Sequence, residues 1–156
     1  MPRFYEGTTT QPGDGRFAIV VARYNATVTE KLLTGALRTF QERGVRDECI
    51  DVARVPGAWE IPLIAQRMAR TGVYRAVICL GAVIRGETTH DQYINQQVSD
   101  SLGRIALEFN LPVLFGVLTC NNLEQALHRA GGNVGNKGSD CADAALEMVS
   151  LLSKLS

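Results

Sequence analysis

Phe17-Ala18-Ile19-Val20-Val21-Ala22 is an unbroken apolar run with three β-branched residues. A run this short, apolar at every position, predicts a strand buried on both faces, because a half-solvated strand alternates. Ile50-Asp51-Val52-Ala53-Arg54-Val55 predicts a second strand, Arg75 to Ala82 a third and Val113 to Leu118 a fourth. Between them the pattern changes period. Val28, Leu32, Leu33, Ala36, Leu37 and Phe40 recur at helical spacing, with Thr27 and Glu30 spaced as a capping box and Gly44 as a stop. Ile61, Ile64, Ala65 and Met68 form a second stripe that opens at Ala58-Trp59-Glu60, with Pro62 inside the first turn and Gly72 as its stop. A third stripe, Ile94, Val98, Leu102, Ile105 and Phe109, starts near Thr88 and ends before Pro112. Asn121 with Glu124 predicts the cap of a short helix, and Cys141, Ala145, Met148, Val149 and Leu152 mark a last one.

Strand and helix alternate four times, with one helix extra. That order specifies an α/β fold, a three-layer α/β/α sandwich around a four-stranded parallel sheet of flavodoxin-like order. With 156 residues it is one domain, 17–156, preceded by an arm, 1–16, that lacks periodicity. Phe4 and Tyr5 can anchor that arm to a neighbouring subunit. Sixteen basic residues balance sixteen acidic ones, which speaks against a nucleic-acid footprint. No run approaches the roughly eighteen apolar residues of a membrane span. Residues 1–16 hold no apolar signal segment, and Cys49, Cys79, Cys120 and Cys141 are widely spaced, so the expected location is the reducing cytoplasm.

In such a sheet ligands bind beyond the carboxyl ends of the strands. Tyr24 and Asn25 follow the first strand, Pro56 to Glu60 the second, and Gly81-Ala82-Val83-Ile84-Arg85-Gly86-Glu87-Thr88-Thr89-His90 the third, while Phe115 lies in the fourth. Tyr24 and Trp59 lie outside the helical stripes; they either pack at a rim or stack on a flat heterocycle. Glu60 either caps its own helix or accepts hydrogen bonds from hydroxyls. Glu87 and Thr88 offer backbone N–H groups at a helix start, as an ordinary cap or as a phosphate nest. His90 is one of two histidines. It is a capping residue, or a proton-transfer group at a helix start whose partial positive charge disfavours imidazolium. Arg129 ends a short helix and either complements its dipole or grips a phosphate. Lys137, between glycines, is a solvated turn residue or a ligand contact. His128 reads as a surface or interface residue. No Cys/His cluster has metal-ligand spacing, and no Walker A loop, G-x-S-x-G elbow or G-x-G-x-x-G follows a strand.

Three segments together, P-G-A-W-E-I-P at 56–62, G-A-V-I-R-G-E-T-T-H at 81–90 and H-R-A-G-G-N-V-G-N-K-G at 128–138, resemble the lumazine synthase family. The likeness runs from Arg23-Tyr24-Asn25 to the last helix. It implies a transferase of riboflavin biosynthesis that needs no cofactor and no metal. That enzyme condenses 5-amino-6-(D-ribitylamino)uracil with 3,4-dihydroxy-2-butanone 4-phosphate to 6,7-dimethyl-8-ribityllumazine, phosphate and water. The resemblance assigns the pyrimidine to Tyr24, Asn25, Ala58, Trp59, Glu60, Ala82, Val83, Ile84, Phe115 and Lys137. It assigns the phosphate to Glu87, Thr88 and Arg129, and proton transfer to His90. It also implies pentamers with active sites between subunits, Phe115 and Arg129 crossing from the neighbour and the arm adding a strand to a neighbour's sheet. Some members stack as decamers and others build icosahedral shells; the turn at 131–138 lacks an insertion, as in shell formers. Riboflavin synthase is the candidate protein partner. Glu87 stands where a small residue is common, and His128 where Glu is frequent.

Overall fold

The computed structural model describes residues 1–9, 15–132 and 134–155. Strand β1 (Arg16–Ala22) lies inside a four-stranded parallel sheet, between β2 (Ile50–Val55) and β3 (Tyr74–Ile84), with β4 (Val113–Cys120) beyond β3. The order β2-β1-β3-β4 is the flavodoxin-like one, and it reverses direction between β1 and β3. Arg16, counted with the arm in the sequence, is the first residue of β1 and pairs with Tyr74.

Among the described residues five α-helices cover both faces. They are α1 (Ala26–Glu42), α2 (Ile61–Arg70), α3 (His90–Phe109), α4 (Leu123–His128) and α5 (Lys137–Leu155). Phe17, Ile19 and Val21 of β1 join Ile78 and Leu80 of β3 under α1 and α5. Ala18, Val20 and Ala22 face the other way, with Val77 and Cys79, under α2 and α3. This explains the unbroken apolar run, since each of its faces meets a helical layer. Phe17, near the start of β1, and Phe40, near the end of α1, lie in the first of these layers with ring centroids 4.9 Å apart. Burial pushes the Cys141 thiol up to about 11 and that of Cys79 higher, so both act as small core hydrophobes. Among the described residues no helix is long and apolar enough to cross a membrane.

Several local expectations change. Thr27 does not cap α1, which starts at Ala26 behind Asn25 without a side-chain cap. Glu30, its supposed partner, instead forms an ion pair with Arg54 of β2. Strand β3 runs to Ile84 rather than Ala82, because Val83 and Ile84 pair with Thr119 and Cys120 of a β4 that is itself longer than expected. Helix α3 accordingly begins at His90 rather than near Thr88. The short helix α4 is capped by Asn122, whose side chain accepts from the Gln125 N–H at 2.9 Å; Asn121 lies one residue too early. The glycine-rich turn contains a small antiparallel pair, β5 (Ala130–Gly132) and β6 (Gly135–Asn136), so Lys137 is the first residue of α5 and not a turn residue. Met148 of the predicted α5 stripe is exposed.

Gly44 and Gly138 are among the glycines that the backbone requires. Gly44 adopts φ 90° just after α1, where a side chain would be strained. At Gly138 a Cβ would lie 1.9 Å from the Leu32 carbonyl oxygen, so α1 and α5 approach only because it is absent. Among residues 1–9 there is no strand. Glu6 to Thr8 lie along α5, where the Thr8 N–H donates to Ser150 Oγ and Lys154 Nζ donates to the Glu6 carbonyl. Phe4 and Tyr5 remain exposed, and residues 10–14 lie outside the described residues.

Candidate active site

At the point where the strand order reverses, β1 and β3 end side by side. Asn25 follows β1 in the left-handed conformation, φ 64°, which asparagine tolerates better than most residues. Its Nδ2 donates to the Ala82 carbonyl at 2.8 Å, tying the end of β1 to β3. A cleft of about 360 Å³ opens above this tie. Its walls come from the carboxyl ends of β1, β2 and β3 and from the start of α3.

Ten predicted residues meet there: Tyr24, Asn25, Ala58, Trp59, Glu60, Ala82, Val83, Ile84, Thr88 and His90. Tyr24 is 73% and Trp59 53% exposed, so both rings stand at the rim, not in the core. Ala58 to Glu60 form a single 3₁₀ turn ahead of α2. Glu60 Oε1 accepts the Gly57 N–H at 2.8 Å, so its capping reading holds, and its carboxylate at once borders the cleft. Gln97 of α3 donates through Nε2 to the Trp59 carbonyl at 3.2 Å and holds this turn against α3.

The start of α3 supplies the polar end. His90 is its exposed first residue, and its N–H donates to Thr88 Oγ1 at 3.3 Å. Gly86 and Thr88 border the cleft, whereas the exposed Glu87 between them does not. At a helix start free N–H groups and the helix dipole favour negative charge.

Four predicted residues lie off the cleft. Glu87 is one. Phe115 is the third residue of β4, opposite Cys79 in mid-sheet, and 41% exposed. It is not at a carboxyl end, because β4 continues to Cys120. Arg129 follows α4 and Lys137 opens α5; both are exposed, and the Lys137 N–H donates to the Arg129 carbonyl at 2.8 Å. The β5–β6 pair therefore brings the backbones of these two exposed residues together.

Sequence reasoning missed Gly57, Gly86, Asp91 and Ile94 as cleft residues. Asp91 carried the one available signal, an acid in the first turn of a helix. Placing that start two residues early hid its position.

The 6,7-dimethyl-8-ribityllumazine synthase family model matches residues 14–153. A 6,7-dimethyl-8-ribityllumazine synthase of Desulfatibacillum aliphaticivorans is 51% identical over 151 residues, 97% of each chain. Another, of Desulfotalea psychrophila, is 52% identical over 155 residues, 99% of each chain. With a flavodoxin-like sheet, a cleft at its reversal point and likeness along nearly its whole length, the chain belongs to the 6,7-dimethyl-8-ribityllumazine synthase family, transferases that condense 5-amino-6-(D-ribitylamino)uracil with 3,4-dihydroxy-2-butanone 4-phosphate in riboflavin biosynthesis.

Proposed function

We propose that the cleft at the ends of β1, β2 and β3 is one half of the site for this condensation, and that a neighbouring copy supplies the other half. One observation carries the reading. Trp59, Glu60, Thr88 and His90 share a cleft, while Phe115, Arg129 and Lys137 stay outside it and exposed. A second copy that turned these three residues toward the cleft would complete the set. Such a contact is heterologous and closes into a ring, as a pentamer does.

In this reading Tyr24 or Trp59 stacks on the pyrimidine and Glu60 accepts its ribityl hydroxyls. Asn25, Ala58, Ala82, Val83 and Ile84 shape the pocket around it. Lys137 of the neighbour faces the pyrimidine carbonyls, and Phe115 of the neighbour covers the ring. The phosphate ester rests on the backbone from Gly86 through Glu87 to Thr88, with Arg129 of the neighbour across from it. The substrate amine attacks the ketone, and loss of water gives an imine. His90 accepts and returns the protons. Phosphate then leaves, stabilised by the start of α3 and by Arg129, and the ribitylamino nitrogen closes on the remaining carbonyl with loss of a second water. Much of the acceleration comes from holding two substrates in register.

Phe4 and Tyr5 are the part of the arm that reaches a neighbour, where the arm adds a strand. Pentamers assemble further into a shell, with riboflavin synthase as associated protein, in the cytoplasm. The test is a two-substrate assay on the purified particle, read by lumazine fluorescence and released phosphate, with particle mass alongside. Product formation above the uncatalysed rate and a mass that is a multiple of five chains are expected. A monomer that turns over at the full rate defeats the shared site, and no product defeats the reading as a whole.

A further inference from the structure

Asp91, the second residue of α3, borders the same cleft as Glu60 and His90 and is 8% exposed. Its Oδ1 is covered and accepts no hydrogen bond. A covered carboxylate oxygen without a donor destabilises a fold, and the dipole of the helix start offsets only part of that cost. Among the described residues two other side-chain atoms are in this state, Thr29 Oγ1 on α1 and Asn95 Oδ1 one turn further along α3. Neither residue borders the cleft. Of these three residues Asp91 alone lines the cleft.

We propose that Asp91 positions the pyrimidine substrate by accepting an N–H or O–H of that molecule; the proposal rests on the reading of the cleft given above. A carboxylate only accepts, and so does that of Glu60, whose Oε1 already holds the Gly57 N–H. Two carboxylates on one cleft favour a ligand segment rich in donors and repel an anion. The pyrimidine carries amino, ring N–H and hydroxyl donors, whereas the butanone phosphate carries the negative charge. Asp91 and Glu60 therefore sort the two substrates. The donor-rich one lies between them, and the anionic one is left to the backbone around Gly86 and Thr88. Consecutive helix positions point about 100° apart, so Asp91 acts on the ligand directly and not through His90.

The experiment compares Asp91→Asn and Asp91→Leu with Asn95→Leu in the full assembled protein. Pyrimidine binding is read through Trp59, the single tryptophan of the chain. KM for each substrate, Tm and particle mass complete the set. Both Asp91 variants are expected to weaken pyrimidine binding by about 10- to 100-fold and raise its KM alike. The butanone phosphate KM stays level or falls, and Tm stays level or rises because an unpaired buried charge is gone. Asn95→Leu holds or raises Tm with pyrimidine affinity unchanged. Unchanged affinity in the Asp91 variants overturns the proposal. So does weaker binding that comes with a lowered Tm or a lost particle, which assigns Asp91 to the fold or to the subunit contact. Wild-type protein that neither binds nor converts the pyrimidine overturns the reading of the cleft and this proposal with it. Wild-type turnover with indifferent Asp91 variants overturns this proposal alone.

Discussion

Asn25 Nδ2 donates to the carbonyl oxygen of Ala82 at 2.8 Å, and this bond spans the place where the sheet reverses direction. It joins two cleft residues and leaves the β1–α1 loop little freedom. Asn25→Ala removes the donor and puts alanine at φ 64°. The expected cost is about 1–3 kcal/mol, read from the urea midpoint, with a raised pyrimidine KM. Asn25→Gly loses only the hydrogen bond and should fall between wild type and alanine. Equal stability in all three would deny the tie its role.

His90→Ala should lower kcat by about 10²-fold, the lower end for a general acid–base group, and leave a rate well above the uncatalysed one. Arg129→Ala should raise the butanone phosphate KM. Neither variant restores the other in a site built from one chain. Dissociated, reassembled together and assayed at butanone phosphate far below the KM of Arg129→Ala, they should recover roughly a quarter of wild-type activity, the share of contacts that pair an intact His90 with an intact neighbouring Arg129 under random mixing. No recovery on co-assembly would place both residues in one subunit's site.

Gly138→Ala tests the α1–α5 contact. Its Cβ would meet the Leu32 carbonyl carbon at 2.7 Å and the oxygen at 1.9 Å, both of them backbone atoms that cannot rotate aside. Separation of the two helices should cost about 1–3 kcal/mol or more, seen as a lowered Tm. Gly103→Ala is the control, because nothing lies within 4 Å of its Cβ position.

At the opposite end of the sheet, Arg16 grips both oxygens of Asp51 at 2.8 and 2.9 Å, and the Tyr74 hydroxyl donates to Oδ2 at 2.6 Å. The Arg16 bond first, and the Tyr74 bond second, hold the Asp51 carboxyl below its ordinary range. A lowered folded value means stability present above the unfolded value of about 4 and lost as pH falls through the folded one. Burial first, then the Asp51 bond, raises Tyr74, so its share is present below about pH 10 and fades as pH rises above that. Asp51→Asn should therefore lower Tm at neutral pH and flatten the acid limb of a Tm-against-pH curve, the two proteins converging as pH falls through the folded value of Asp51. The pair is partly solvated, so added salt should shrink the effect. An acid limb as steep in Asp51→Asn as in wild type would assign acid sensitivity elsewhere.

The sequence by itself determined the architecture. Four short strand patterns and the helical stripes between them permit a parallel sheet covered on both faces and little else, since only burial on both sides explains Phe17 to Ala22. The same alternation put Tyr24, Trp59, Glu60 and His90 at strand ends, and ten of the fourteen predicted residues do share one cleft. Tertiary structure decided where elements begin. Helix α3 starts at His90 because Val83 and Ile84 still pair with Thr119 and Cys120, and that register is set by residues some thirty-five positions away (Val83 to Thr119 is one such pair). The start in turn fixes which residues form the first turn of α3, and so buries Asp91 beside the cleft with an unfilled oxygen. It likewise left Phe115 in mid-sheet on an edge strand and set Arg129 beside Lys137 through the β5–β6 pair. Periodicity is local and shows in the residues themselves. Strand length, helix start and the grouping of distant side chains follow from pairings between segments far apart in sequence, which no local pattern encodes.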